Sequence, residues 1–370
     1  MKETRSLALL RCRKRRMATH KALALTFPGM TDVCAKEIKE LISASGKELN
    51  EGVIFEAELE DIFTVCYRSQ SASRVLLLVS EGTFDKLTVP QEHLKGTVSF
   101  SGKSTTKAQE LAERITAKKV YKNADIPLYL HFEEDKYWLG IDLSGDISKR
   151  DYRIFIGSET LSPISAFGAL TLSDYEPKHT LLDPSCRAGS IVIEAALHAL
   201  NIPARQYSKD KLPMRKIFKE FDFDKFFLEQ DKKIKDKIPG SILAISEQFP
   251  SIHATRKNAK IAGVVKAIDF SRTSVDWLDL KFEKNSVDHI VTQPTEFTVD
   301  FPPERFKKQA ELFFERAAQI LKKNGTIAII VRKGQEEYAT AAKSKGFSVK
   351  HQRTIMQGKE AWNVVVLTPS

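Results

Sequence analysis

One stretch of the chain constrains its fold more than any other. Leu181-Leu-Asp-Pro-Ser-Cys-Arg-Ala-Gly-Ser-Ile-Val-Ile-Glu-Ala-Ala-Leu197 runs from an apolar pair into Asp183-Pro184, turns at Gly189, and takes up helical periodicity from Ser190. Strand, turn and helix in that order open a doubly wound α/β domain. In such folds ligands lie beyond the strand ends, beside the helix N-terminus.

The elements after this unit keep the alternation. Patterning predicts strand 242–245, helix 253–262, strand 267–270, strand 287–292, helix 303–321, strand 326–331 and helix 335–345. Strands 348–354 and 363–367 close the chain with no helix between them, so they pair antiparallel. Upstream, a strand ending at Pro28-Gly29 leads into a helix capped by Thr31 or Asp32. Strand 52–56, helix 59–67 and strand 74–79 follow, and their lengths suggest a small ferredoxin-like α+β unit. A helix over 106–117 and strands 128–132 and 137–143 come next. The polar connector 144–153 then leads to a helix over 160–174.

Of the net +10, residues 1–16 supply +6, much of it in Arg11, Arg13, Lys14, Arg15 and Arg16. This run suits a phosphate-binding arm or a targeting signal, but reads best as a disordered basic leader, 1–17, with Met17 a candidate start. The four cysteines are scattered without metal-ligand spacing, so no metal site is expected and a reducing, cytoplasmic setting fits. No apolar run reaches membrane-spanning length, and no membrane partner is expected. Residues 201–240 insert eleven Lys/Arg against seven Asp/Glu, interleaved with five phenylalanines. Such interleaving can clamp nucleic acid, yet Phe223, Phe226 and Phe227 have helical core spacing, and core packing is the better reading. The connector holds Lys149, Arg150, Tyr152 and Arg153, and serves equally as a linker or as an RNA-contacting loop.

Several of these pieces resemble the THUMP-domain RNA methyltransferases, the branch that methylates guanine N2 in tRNA or large-subunit rRNA. Phe27-Pro-Gly-Met-Thr-Asp32 resembles the family's opening turn. Glu60-Asp-Ile-Phe through Arg74-Val-Leu-Leu-Leu is similar to its ferredoxin-like domain. Asp142-Leu-Ser-Gly with Lys149-Arg-Asp-Tyr-Arg153 resembles the end of a THUMP module. Asp183-Pro-Ser-Cys-x-x-Gly-Ser and Arg256-Lys-Asn-Ala-Lys-Ile-Ala-Gly263 resemble the first two methyltransferase motifs. The resemblance implies a Rossmann-like class I methyltransferase domain over 156–370, preceded by an α+β ferredoxin-like domain over 18–80 and a THUMP RNA-binding module over 81–155.

It also implies S-adenosylmethionine as methyl donor, with Asp183, Pro184, Gly189, Ser246, Glu247 and Ser274 at the donor site, and Gln293, Pro294 and Phe297 at the catalytic motif. Here the chain departs from the pattern. Arg187 stands at a glycine position, and Ser246 and Ser274 stand where the family has acidic residues on ribose and adenine. Gln293-Pro-Thr-Glu-Phe297 replaces Asn/Asp-Pro-Pro-aromatic. Gln293 keeps an acceptor oxygen one methylene further out, and Phe297 is the ring left to stack on a flipped base. Four departures together point to a pseudoenzyme: a binder of structured RNA, tRNA or rRNA, contacted through Lys149, Arg150, Tyr152 and Arg153. Two alternatives stay open. One is an active S-adenosylmethionine-dependent guanine-N2 methyltransferase. The other is a protein-docking subunit anchored by Trp277, Trp362 or the 201–240 insertion.

Overall fold

The computed structural model describes residues 18–86, 96–102, 106, 110, 113, 118–120, 124–157, 161–294 and 302–370. The basic leader, most of the expected helix 106–117, and Phe297 lie outside these residues. Contacts divide the chain into two units. One comprises the chain up to Thr26, Cys34–Ile147 and Ser208–Leu228. The other comprises Phe27–Val33, Ser148–Tyr207 and Glu229–Ser370.

The first unit is built on β1 (His20–Leu25), α1 (Thr31–Ile42), β2 (Gly46–Glu48), β3 (Gly52–Ala57), α2 (Leu59–Arg68) and β4 (Arg74–Thr83), followed by β5 (Thr97–Gly102), β6 (Lys118–Lys119), β7 (Ile126–Glu133) and β8 (Lys136–Asp142). Helix α2 is buried on all sides from Ile62 to Arg68. The strands form one eight-stranded sheet in the order β2-β3-β1-β4-β8-β7-β5-β6. β4 runs on to Thr83 and pairs antiparallel with β8, so strands expected in two domains share one sheet. Arg74 and Asp142, neighbours across that pairing, form an ion pair.

The second unit opens with α3 (Pro163–Leu172), β9 (Thr180–Asp183) and α4 (Ser190–Ala199). Nine of ten positions in both helices are buried, as expected where a helix is apolar on every side. The insertion carries α5 (Met214–Ile217) and α6 (Phe223–Asp231), and its middle belongs to the first unit. Phe63 packs against Phe218, Phe221 and Phe223 with ring centroids 5.1–5.2 Å apart, and Tyr67 lies 4.7 Å from Phe227. These phenylalanines are core residues. They form no nucleic-acid clamp.

The alternation resumes with β10 (Ser241–Ile245), α7 (Phe249–Ile261), β11 (Asp269–Ser271), α8 (Leu278–Lys281), β12 (Val287–Thr292), α9 (Pro303–Ile320), β13 (Leu321–Val331), α10 (Gln335–Ser344), β14 (Phe347–Gln357) and β15 (Glu360–Pro369). Helix α7 starts four residues before the expected 253, with Pro250 in its first turn, where a missing N–H costs nothing. The sheet order is β11-β10-β9-β12-β13-β15-β14, and β15 is antiparallel to both neighbours. This is the Rossmann-like methyltransferase arrangement that the sequence led us to expect. The Pro28-Gly29 turn fastens to edge strand β14. The Pro28 carbonyl accepts from Met356 N–H at 3.0 Å, and Arg353 Nη1 donates to both Asp32 carboxylate oxygens at 2.6 and 2.7 Å. A Cβ on Gly29 would stand 2.2 Å from the Thr354 carbonyl oxygen, so only glycine permits this approach.

Candidate functional site

The site is assembled where β9, β10 and β12 end. Asp183 closes β9, and its buried carboxylate accepts from the Thr292 hydroxyl at 2.7 Å and the Ser185 N–H at 3.1 Å. Burial pushes its carboxyl up to about 7, against the pull of these hydrogen bonds. The loop then folds back, with the Gly189 N–H on the Cys186 carbonyl at 2.6 Å. Gly189 has φ +88 and directly precedes α4, and a Cβ there would meet Thr255 Cγ2 at 2.5 Å. The Ser190 hydroxyl, at the start of α4, donates to the Leu161 carbonyl at 2.9 Å. Burial pushes the Cys186 thiol up to about 12, in favour of the neutral thiol.

Asp183 yields a pH prediction. Its folded pKa is raised above the model-peptide 3.8, so its contribution is fully present below that value and is lost as pH rises through about 7. Asp183→Asn should therefore be a few kcal/mol more stable than the parent at pH 8 and equal to it at pH 3.5. Buried His289, held down at about 4, titrates with the opposite sign, but both proteins carry it and it cancels in the comparison. Urea melts at the two pH values check this. Equal stabilities at pH 8 would contradict it.

Arg187 is the decisive residue. Its φ of +47 puts a non-glycine residue in the left-handed region, at a cost of about 1 kcal/mol. From there its guanidinium crosses to the loop after β12. Nε donates to the Gln293 carbonyl at 3.0 Å and Nη2 to the Pro294 carbonyl at 2.7 Å. Two charge-assisted hydrogen bonds at those lengths more than offset the backbone cost. The resemblance also implies that the carbonyl following Gln293 accepts from the target amino group; here that carbonyl, on Pro294, already takes one hydrogen bond from Arg187. The Gln293 side chain is buried as well.

A cavity of about 1160 Å³ opens beside these residues, lined in part by Pro184, Arg187, Ser246, Glu247, Ser274 and Pro294. The structure thus brings most of the sequence-predicted donor positions to one cleft. Sequence reasoning missed Asp276, Arg305, Gln309, Phe313 and Tyr338, which line it too. Asp276 lies two residues beyond Ser274 and could have been flagged. The others come from α9 and α10, and no local motif marks them. The side chains that the resemblance implies for holding a methyl donor are not in place here. The Arg187 side chain forms part of the cleft wall, and the two acidic positions carry hydroxyls turned to the backbone. Ser246 accepts from the Gln248 N–H at 3.2 Å and Ser274 from the Asp276 N–H at 3.5 Å.

Two of the four expected RNA contacts are not at the surface. Arg150 and Tyr152 are core residues: Arg150 Nε donates to Glu194 Oε1 at 3.2 Å, and the Tyr152 hydroxyl donates to the same oxygen at 2.8 Å. The Arg150 and Glu194 side chains have no solvent exposure at all. Lys149 is exposed and Arg153 is half-buried. Of the candidate docking anchors, Trp362 is buried in the second unit, whereas Trp277 is exposed. Among the described residues no cluster suits a metal ion, and no helix is long and apolar enough to cross a membrane.

A family model described as the RMKL-like methyltransferase domain matches residues 150–361, and one described as the RlmL ferredoxin-like domain matches 21–76. The tRNA (guanine(6)-N2)-methyltransferase of Methanocaldococcus jannaschii is 25% identical, over 92% of this chain and 98% of its own length. The ribosomal RNA large subunit methyltransferase K/L of Psychromonas ingrahamii is 29% identical over 67% of this chain but only 38% of its own length. The chain therefore spans less than half of that larger relative. A solved structure described as a possible methylase from Clostridium difficile 630 superposes with TM-score 0.77 at 20% identity, covering 95% of this chain and 99% of its own.

Proposed function

Because the chain belongs to the family of RMKL-like methyltransferase domains, we propose that it binds structured RNA, foremost tRNA, and that its cleft has given up methyl transfer. The observation that carries this reading is the Arg187 guanidinium on the Gln293 and Pro294 carbonyls. A target amine needs an acceptor in this loop to present its lone pair, and although each carbonyl keeps a second lone pair, the guanidinium crowds the approach and holds a positive charge beside it. The named activities of the relatives in tRNA and rRNA support RNA as the ligand. In this reading the strands β5–β8 form a THUMP module that orients the RNA. Of the connector residues, Lys149 and Arg153 remain to meet phosphate, while Arg150 and Tyr152 hold the connector in place.

One observation favours a second reading, an active S-adenosylmethionine-dependent guanine-N2 methyltransferase. The cavity has room for a donor and a base, and Glu247 and Asp276 bring carboxylates to its wall. RNA recovered after crosslinking to the full chain, with a mass spectrum of its nucleosides, separates the two. The proposal expects tRNA enrichment without a methylated guanine that depends on the protein. Recovery of no RNA above background would sink it.

A further inference from the structure

We propose that the exposed face of α7 is a track for single-stranded RNA leading out of the cleft, an inference that rests on the RNA-binding reading above. Phe249, His253, Arg256, Lys257 and Lys260 recur at intervals of three and four, so they share one side of the helix, and all five are exposed. The thirteen residues of α7 include three cations and no Asp or Glu. No described carboxylate pairs with any of these cations. Arg256 lies over the Phe270 ring at 4.9 Å and keeps its charge at the surface.

The stripe starts at the cleft. Gln248 and Pro250, on either side of Phe249, line the cavity, and the Phe249 ring is 60% exposed and stacks on His253 at 5.7 Å. Alongside runs Ile154-Phe155-Ile156, three consecutive exposed apolar residues. They are held against α7 by hydrogen bonds between Phe155 and Asn258, from the Phe155 N–H at 3.0 Å and to its carbonyl at 2.8 Å. Lys257 Nζ stands 4.5 Å over the Phe155 ring.

Exposed rings and aliphatic side chains beside an acid-free row of cations match a chain that alternates bases with phosphates. Stacking needs unpaired bases, because in a duplex the base faces are covered. The occupant is therefore a single strand, with a base on Phe249 and phosphates following Arg256, Lys257 and Lys260 away from the cavity.

The test measures fluorescence anisotropy of the full-length protein with a labelled ten-nucleotide mixed-sequence RNA, over a range of salt. Arg256→Gln/Lys257→Gln/Lys260→Gln should bind about ten- to a hundredfold more weakly and lower the slope of log K against log salt by about 2, since each single-strand phosphate contact contributes about 0.7. Phe249→Ala should weaken binding about tenfold with the slope unchanged, because stacking is not a charge effect. All four positions are exposed, so melting points should match the parent. A duplex of the same length and a decaglutamate peptide should both bind more weakly than the single strand. Parent-like binding by both variants would overturn the track while leaving RNA binding by the protein intact. Equal binding of decaglutamate would overturn it in favour of a general anion surface. Absence of RNA binding by the unsubstituted protein would overturn both readings.

Discussion

S-Adenosylmethionine titrated into the unsubstituted protein should show a dissociation constant of about millimolar or weaker, and Arg187→Gly/Ser246→Asp/Ser274→Asp should move it toward micromolar. Each charged hydrogen-bond acceptor missing from the donor site forfeits about 1.5–3 kcal/mol, so two forfeit about 3–6 kcal/mol. Taken from a micromolar reference, near −8 kcal/mol, that leaves binding in the millimolar range. The structure adds a reason that the sequence could not supply. Arg187 is engaged with two carbonyls, and turning it aside for a donor would break both bonds. Arg187→Gly removes the obstruction and also relieves the left-handed backbone. Methyl transfer would still need Gln293→Asn, since a misplacement near 1 Å costs about a hundredfold. Calorimetry reads the outcome, and low-micromolar binding by the unsubstituted chain would contradict it.

Arg150→Ala should lower stability by about 3–5 kcal/mol, because it strands the fully buried Glu194 carboxylate. At about 2–4 °C per kcal/mol for a domain of this size, the melting point of the second unit should fall by roughly 10 °C. Lys149→Ala, on an exposed side chain, should stay within about 0.5 kcal/mol of the parent. Replacing both buried partners, as in Arg150→Met/Glu194→Met, should recover most of the loss, since no lone charge is left inside. Scanning calorimetry of the three variants tests this, and parent-like melting of Arg150→Ala would contradict the buried pair. Any RNA-binding defect of Arg150→Ala should therefore track unfolding, whereas a defect of Lys149→Ala should not.

The contrast between those two residues shows where the sequence was legible. Lys149 to Arg153 reads as a basic loop with one aromatic, a pattern that usually means surface. What inverts it is Glu194, more than forty residues later on α4 and buried there. An apolar helix with one acid does not announce its partner. Local periodicity, by contrast, fixed β12 at Val287–Thr292 and placed α9 and α10 to within a residue, since burial on a sheet or helix face leaves its period in the chain. The short strands β2 and β6 and the β4–β8 pairing were invisible, because they are too brief to carry a period or join segments far apart. At the site, the loop glycine and the strand-end acid were readable from Leu181–Leu197 alone. The destination of the Arg187 side chain, 106 and 107 residues away, was not.

The central claim is that this family fold retains RNA and has lost transfer. Its most direct measurement is the nucleoside mass spectrum of unmodified tRNA and large-subunit rRNA incubated with the full-length protein and isotopically labelled S-adenosylmethionine. The account predicts that no label enters guanine above a protein-free control, while the same RNA binds with salt-dependent affinity. Labelled N2-methylguanosine formed in proportion to the protein would contradict it, and would establish the cleft as that of a working methyltransferase.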